Sequence, residues 1–261
     1  MRCLVTGATG YIGGRLVPEL LAAGHEVRVL ARHPERLQDR TWVDDVEVVA
    51  GDAGDPDAVR AALRGVDVAY YLMHSLMAGD GFHDIEVILA RLFGTTARDE
   101  GVGRIVYLGG LHPDEQADAL SDHMSSRRDV GEILRSSGVP TCEFRAAVII
   151  GSGSASFEII RYLTERLPVM VTPKWLRMPT QPIAVRDVLY YLVHAADLPA
   201  EVNRAFDIGG PDVTTYEGMI QGYARVAGFQ ERRVVPVPVL TPRLSSRWVG
   251  LVTPVPGAMA K

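Results

Sequence analysis

Lysine is nearly absent from this chain of 261 residues, because Lys174 and Lys261 are the only lysines among its 27 basic residues. No dense basic stretch occurs and the formal net charge is −5, so the sequence offers no surface for nucleic acid. Only two cysteines are present, Cys3 and Cys142, and we expect small buried thiols rather than a disulfide or a metal site. No uninterrupted apolar run is long enough to span a bilayer. These absences indicate a cytoplasmic globular protein without a metal centre.

Glycine, in contrast, is placed where it predicts a binding turn. Gly7, Gly10 and Gly13 follow the apolar run Cys3-Leu4-Val5 and precede apolar residues that recur every four positions until Gly24. Such glycines allow a tight turn, close approach of the backbone to a pyrophosphate, and packing of a helix on a strand. The anion then lies on free N–H groups at the helix N-terminus. The predicted cofactor contacts of this turn are Gly7, Ala8, Thr9, Gly10, Tyr11, Ile12 and Gly13.

The alternation of strands and helices continues along most of the chain. Residues 25–30 complete a β-α-β unit that starts at residue 1, so we expect no signal peptide, and Pro18 should kink the first helix slightly. Further strands are predicted at 46–49, 66–72, 104–108 and 141–150, with helices at 57–63, 85–96 and 122–136. This order predicts an α/β fold, a Rossmann-like doubly wound parallel sheet. Residues 1–150 would form the NAD(P)-binding core, and 151–261 a small C-terminal substrate lobe interleaved with the last sheet strands in one structural domain.

Two positions indicate which dinucleotide binds. A site for NAD places an acid at the end of the second strand, where it hydrogen-bonds the ribose 2′-OH. Here Ala31 and Arg32 stand at that point, and a guanidinium favours a 2′-phosphate, so we expect NADP(H) rather than NAD(H). The alternative is a solvated surface arginine. Asp52, followed by Ala53, ends the third strand and is expected beside the adenine amine, unless it caps a helix.

Longer motifs point to a known superfamily. They are the T-G-x-x-G-x-x-G turn, Gly51-Asp52, Tyr71-Leu72-Met73-His74-Ser75, and residues 121–123, 145–158, 181–188 and 206–211. They resemble the extended short-chain dehydrogenases/reductases, and more narrowly the atypical YbjT-like branch, which is similar to NmrA-like proteins. The resemblance implies that cofactor contacts also come from Leu72, Met73, His74, Gly109, Ala147 and Val148. It also implies a longer chain, which leaves a truncation at Lys261 open.

The sequence departs from this superfamily at the proton relay. Competent reductases of the superfamily carry a serine at the end of strand five and a Tyr-x-x-x-Lys pair on the next helix. Tyrosine transfers the proton, while lysine lowers its pKa and holds the nicotinamide ribose. Here strand five ends Tyr107-Leu108-Gly109-Gly110-Leu111, with glycine where the serine should be, and Met124 stands at the tyrosine position and Arg128 at the lysine position. Arg128 can still bind ribose hydroxyls, but Met124 can transfer no proton.

Histidines offer another source for the proton. His74, His112 and His123 follow strand ends, where ligands of such sheets bind. His74 and His123 are the catalytic candidates, although a loop histidine bonded to backbone or water is the alternative for each. The separations of the three histidines match no short zinc motif, so we expect no metal.

Two functions therefore stay open. The first is an oxidoreductase that transfers hydride directly between NADP(H) and a small organic or quinone-like substrate. The second is a non-catalytic NADP(H)-binding redox sensor or assembly factor, with a homodimer or a protein partner. A sugar-nucleotide epimerase is disfavoured, because that chemistry depends on the missing tyrosine.

Overall fold

The fold is built on alternating strands and helices, and the computed structural model describes residues 1–73, 82–112 and 122–237. The strands are β1 (Arg2–Thr6), β2 (Glu26–Ala31), β3 (Glu47–Ala50), β4 (Val68–Tyr71), β5 (Arg104–Gly110), β6 (Thr141–Ala146), β7 (Ile149–Ile150), β8 (Val169–Pro173), β9 (Pro179–Thr180), β10 (Ile183–Ala184), β11 (Arg204–Ile208), β12 (Thr214–Thr215) and β13 (Arg233–Val237). The helices are α1 (Gly13–Ala22), α2 (Pro56–Leu63), α3 (Phe82–Asp99), α4 (Asp122–Arg135), α5 (Ala155–Arg166), α6 (Val185–His194) and α7 (Tyr216–Val226).

Seven strands form one parallel sheet in the order β11-β6-β5-β4-β1-β2-β3. This arrangement confirms the predicted Rossmann-like fold, and the late strand β11 adds a seventh member beside β6. The strand order reverses between the neighbours β1 and β4: the chain runs from β1 to β2 and β3 on one side, and from β4 to β5 and β6 on the other. Ligands of doubly wound folds bind outside the carboxyl ends of the strands at such a point.

A continuous core explains why these segments form strands and helices. The middle strands carry unbroken buried runs, such as Cys3-Leu4-Val5 in β1, as expected for a sheet covered on both faces. On one face, α2, α3 and α4 bury apolar residues against the sheet, and the rings of Tyr71 and Phe93 meet edge to face at 5.0 Å. Helix α1 contains Pro18 and continues past it to Ala22.

The chain divides into two compact units. The first comprises the described residues of Met1–Ala146 and Arg186–Ile208 and holds the seven-stranded sheet. The second comprises Ala147–Val185 and the described residues from Gly209 on, with the strand pairs β7/β10, β9/β12 and β8/β13 and the helices α5 and α7. Its core is formed by Ile160, Leu163, Met170, Leu176 and Ile220. Within the three described ranges, no helix has both the length and the apolarity needed to cross a membrane.

Candidate cofactor-binding site

The turn between β1 and α1 requires glycine for steric reasons. Gly7 has a φ of 72°, and a Cβ atom there would lie 2.5 Å from the carbonyl oxygen of Leu72. A Cβ atom at Gly13 would collide with the carbonyl oxygen of Gly7. The glycines therefore let the turn lie against the end of β4 and let α1 start directly on the turn.

Hydrogen bonds hold this turn at the carboxyl edge of the sheet. The buried hydroxyl of Thr6 donates to the Tyr70 carbonyl at 2.9 Å and accepts from the Leu72 N–H at 3.1 Å, which joins the ends of β1 and β4. The Gly10 N–H donates to the Gly7 carbonyl at 2.9 Å. The Gly14 N–H donates to the Gly10 carbonyl at 3.0 Å, so the turn leads directly into the first turn of α1. This cradle, which has no Cβ atoms at its glycines, fits a dinucleotide pyrophosphate.

Arg32 and Asp52, the two predicted contacts on the adenosine side, lie together. Arg32 Nη1 is 3.6 Å from Asp52 Oδ2, and the side chains are 69% and 52% exposed. Asp52 Oδ1 also accepts the N–H of Gly54 at 2.8 Å, so this carboxylate organises the turn after β3. The ends of β2 and β3 thus bring together both residues predicted from the sequence, and their cofactor contacts stay predictions.

At the end of β5, where the superfamily has its serine and tyrosine, the glycines of this chain contact the Met124 thioether and a buried carboxylate. A Cβ atom at Gly110 would lie 2.8 Å from Met124 Cε, so the thioether of Met124 packs on the end of β5. A Cβ atom at Gly109 would lie 3.1 Å from Oε1 of Glu143, a fully buried residue of β6. Met124 therefore lies against the strand end where the superfamily keeps its proton relay.

Arg128, at the lysine position, belongs to a chain of polar contacts between α3 and α4. Its Nη2 atom donates to Asp129 Oδ1 at 3.1 Å, and Asp129 Oδ2 is 2.9 Å from His83 Nε2. The sequence pattern gave no sign of His83, because the apolar periodicity that marks this helix begins only at Ile85. The ribose contact of Arg128 stays a prediction.

A buried ionic cluster lies beneath α4. Glu143 is paired with Arg135 and with Arg145, whose Nε is 3.2 Å from Glu143 Oε1. Gly131 makes room for this carboxylate, because a Cβ atom there would lie 2.5 Å from Oε1. The sequence around Glu143 predicts only a buried strand and gives no signal that this residue forms ion pairs.

Buried tyrosines do not replace the missing one. Tyr107 donates its hydroxyl to the Arg127 carbonyl at 3.2 Å, and burial raises its pKa to about 12. Burial also raises the pKa of Tyr71. Both phenols therefore stay protonated at neutral pH, and that of Tyr107 is engaged with the backbone.

The remaining predicted contacts are distributed over both units. Leu72 and Met73 are partly buried after β4, Ala53 is partly buried after β3, and Ala147 and Val148 belong to the second unit. His112 is buried after β5. His74 lies outside the described residues, as does the side chain of His123, whose backbone lies in the first turn of α4. Across the described ranges no group of His, Cys, Asp and Glu is suited to hold a metal ion.

In the second unit, the glycine- and serine-rich turn before α5 is closed by its own helix. Ser154 caps α5 by accepting the Phe157 N–H at 3.2 Å. Glu158 accepts the Gly153 N–H at 3.0 Å and pairs with Arg161 at 2.6 Å. Glu158 therefore holds the turn and Arg161 together.

The fold and the glycine cradle define a class of protein, and comparison with known families agrees. A family model described as NAD(P)H-binding matches residues 7–140. The chain belongs to this NAD(P)H-binding family, within the atypical short-chain dehydrogenases/reductases, which confirms the resemblance seen in the sequence.

Individual relatives are reductases. The chain is 32% identical over 231 residues to (4-alkanoyl-5-oxo-2,5-dihydrofuran-3-yl)methyl phosphate reductase of Streptomyces griseus. The aligned region covers 86% of this chain and 73% of the relative. The chain is 31% identical over 173 residues to ceramide reductase of Caulobacter vibrioides, covering 64% of this chain and 52% of that relative. The structure of Citrobacter sp. triphenylmethane reductase complexed with NADP(H) has a TM-score of 0.75 at 20% identity, covering 100% of this chain and 86% of that chain. At this identity the last likeness shows the fold alone.

Proposed function

We propose that this protein is an NADP(H)-dependent reductase that acts on a small organic or quinone-like acceptor by direct hydride transfer. Membership in an NAD(P)H-binding family and the names of the two curated relatives support the reductase assignment. The named substrate of the Streptomyces relative carries an alkanoyl group on a dihydrofuranone ring, which is an electrophile of this general kind.

The proposed class of substrate, a conjugated carbonyl compound or quinone, rests on the contact of Met124 with Gly110. When bound, the reduced nicotinamide supplies a hydride to an electrophilic carbon of the substrate. An isolated ketone would become an alkoxide that needs a proton at once, and Met124 cannot give one. A conjugated enone or quinone instead delocalises the electron pair as an enolate or phenolate, which can take its proton afterwards from water, His74 or His123.

Arg32 supports the preference for NADP(H). It follows β2 directly, at the point where an NAD site carries an acid. Its guanidinium is exposed and can bind a 2′-phosphate. Arg128 is proposed to lie beside the nicotinamide ribose, with Asp129 orienting its guanidinium.

The test is NADPH oxidation, followed at about 340 nm, the absorption band of reduced nicotinamide. We expect turnover with enones and quinones and much slower turnover with unconjugated ketones. Gly13→Val is the matched negative control, because its side chain would collide with the cofactor turn. Tight binding of NADPH without oxidation by any acceptor in the panel would refute the reductase.

The same contact of Met124 with Gly110 favours a second candidate, a non-catalytic NADP(H)-binding sensor or assembly factor. A redox sensor must bind the two cofactor forms differently, or respond to them differently toward a partner. We expect NADP⁺ and NADPH to give different titration curves in this case. Identical curves, with no partner whose binding depends on the cofactor form, would exclude it.

A further inference from the structure

Helix α1 lacks one of its own hydrogen bonds directly after the glycine turn. In a regular α-helix the carbonyl oxygen of Gly14 accepts the backbone N–H of residue 18. Residue 18 is a proline, which has no N–H. The indole Nε1 of Trp42 donates to the Gly14 carbonyl oxygen at 3.1 Å instead. A side chain from outside the helix thus replaces the missing backbone donor.

Trp42 reaches this oxygen from the segment between β2 and β3. Its side chain is buried, with 4% of the residue exposed, and it stands 28 positions after Gly14 in the chain. Gly14 is the second residue of α1, so the indole acts on the first turn of the helix, where the anion site lies. An unpaired carbonyl at this buried position would be costly.

Arg40, two residues before Trp42, makes a second contact of the same kind. Its Nη2 atom donates to the carbonyl oxygen of Thr9 at 3.2 Å. The other end of this peptide group, the N–H of Gly10, donates to the Gly7 carbonyl at 2.9 Å. The Thr9–Gly10 peptide is therefore held at both ends. Gly14 leaves room for the guanidinium, since a Cβ atom there would lie 3.2 Å from its central carbon.

We infer that Arg40 and Trp42 are positioning residues, which hold the glycine turn and the first turn of α1 in the form that binds the cofactor pyrophosphate. Both donate to carbonyl oxygens of the cradle, so they fix the orientation of its peptide groups before the cofactor arrives. A preorganised site avoids the cost of ordering these groups on binding. Because the pyrophosphate is common to both dinucleotides, loss of either donor should weaken NADH and NADPH by the same factor.

The first test replaces Trp42 with phenylalanine, which keeps an aromatic ring but removes the N–H. We expect Trp42→Phe to weaken NADH and NADPH alike by roughly fivefold or more in titration calorimetry, the effect of about one lost hydrogen bond. Pro18 is exposed, so Pro18→Ala can be added without disturbing the core. The alanine N–H then supplies the missing donor to Gly14, and the double variant should recover affinity. If Trp42 acted through packing alone, Pro18→Ala would not restore the affinity that Trp42→Phe loses, and that result would overturn the inference for Trp42.

The second test replaces Arg40 with glutamine, with Arg36→Gln as the matched control because Arg36 is an exposed arginine of the same segment. We expect Arg40→Gln to weaken NADH and NADPH by one factor, and Arg36→Gln to change neither. Loss of NADPH binding alone would make Arg40 a ligand of the 2′-phosphate and overturn its positioning role. Wild-type affinity in Arg40→Gln would overturn it as well.

Discussion

The guanidinium of Arg32 and the carboxylate of Asp52 meet where β2 and β3 end. Their ion pair is exposed, and such pairs contribute at most about 1 kcal/mol. A 2′-phosphate offers the guanidinium a stronger, charge-assisted partner with more acceptor oxygens. Asp52 would remain occupied by the N–H of Gly54 after Arg32 turned to the phosphate. The pair is therefore compatible with a role for Arg32 in cofactor choice.

At the scale of this residue we expect Arg32→Ala to weaken NADPH by about 1 to 3 kcal/mol, the range for a hydrogen bond to a charged group. Binding of NADH should hardly change, because it has no 2′-phosphate. Arg36→Ala is the control, since it removes an exposed arginine of the segment that follows and should change neither affinity. Calorimetric titration of both dinucleotides measures these effects. Equal losses for NADH and NADPH in Arg32→Ala would assign the arginine a structural role.

At the scale of the element, α4 is held on β5 and β6 by close packing around a charge. Gly131 lies directly over the Glu143 carboxylate, which is paired with Arg135 from α4 and Arg145 from β6. Removing such a partner from a buried carboxylate strongly destabilises the folded protein, because the charge is left uncompensated. The helix position therefore depends on the absence of a side chain at Gly131.

A pair of glycine substitutions tests this packing. Gly131→Ala should lower the free energy of unfolding by about 1 to 3 kcal/mol, because the new methyl group overpacks the buried carboxylate. Gly222 lies within α7, and a Cβ atom there would meet no neighbouring atom of the described residues within 4 Å. Gly222→Ala should therefore raise the free energy of unfolding by about 0.5 to 1 kcal/mol. Urea unfolding measures both, and the packing account fails if the two variants are equally stable.

At the scale of the whole molecule, the two thiols report on unfolding of the sheet. Cys3 and Cys142 are fully buried in β1 and β6. Burial raises the pKa of Cys3 to about 12 and that of Cys142 to about 11. Neither group is therefore a thiolate at pH 8 in the native state, where only the thiolate would react.

We expect a thiol reagent at about pH 8 to label the native protein only very slowly, through open states, and to label both cysteines rapidly in denaturant. Saturating NADPH should slow labelling further, because a ligand of the folded state lowers the population of open states. Mass spectrometry over time measures the modification. Rapid labelling of either cysteine in the native protein would contradict its burial.

The sequence was informative where the physical signal is local. Buried strands read as short apolar runs and helices as periodic ones, so the sheet and the glycine turn could be predicted. Contacts between distant segments carry no such pattern. Arg28 is one case: its Nη1 atom donates to the Ala62 and Arg64 carbonyls at 2.8 Å and closes the end of α2, a contact that no local pattern predicts. Trp42 gave no sign that it would lie on the cofactor turn for the same reason.

The crowded end of β5 has a consequence for the engineering of this protein. A serine at 109 would press on the Glu143 carboxylate, and one at 110 on the Met124 methyl group. Regaining a relay would need a hydroxyl on the strand, a tyrosine in place of Met124 and a lysine in place of Arg128, together with new packing around them. Because the relay works only when all of these groups are present, no single substitution supplies it.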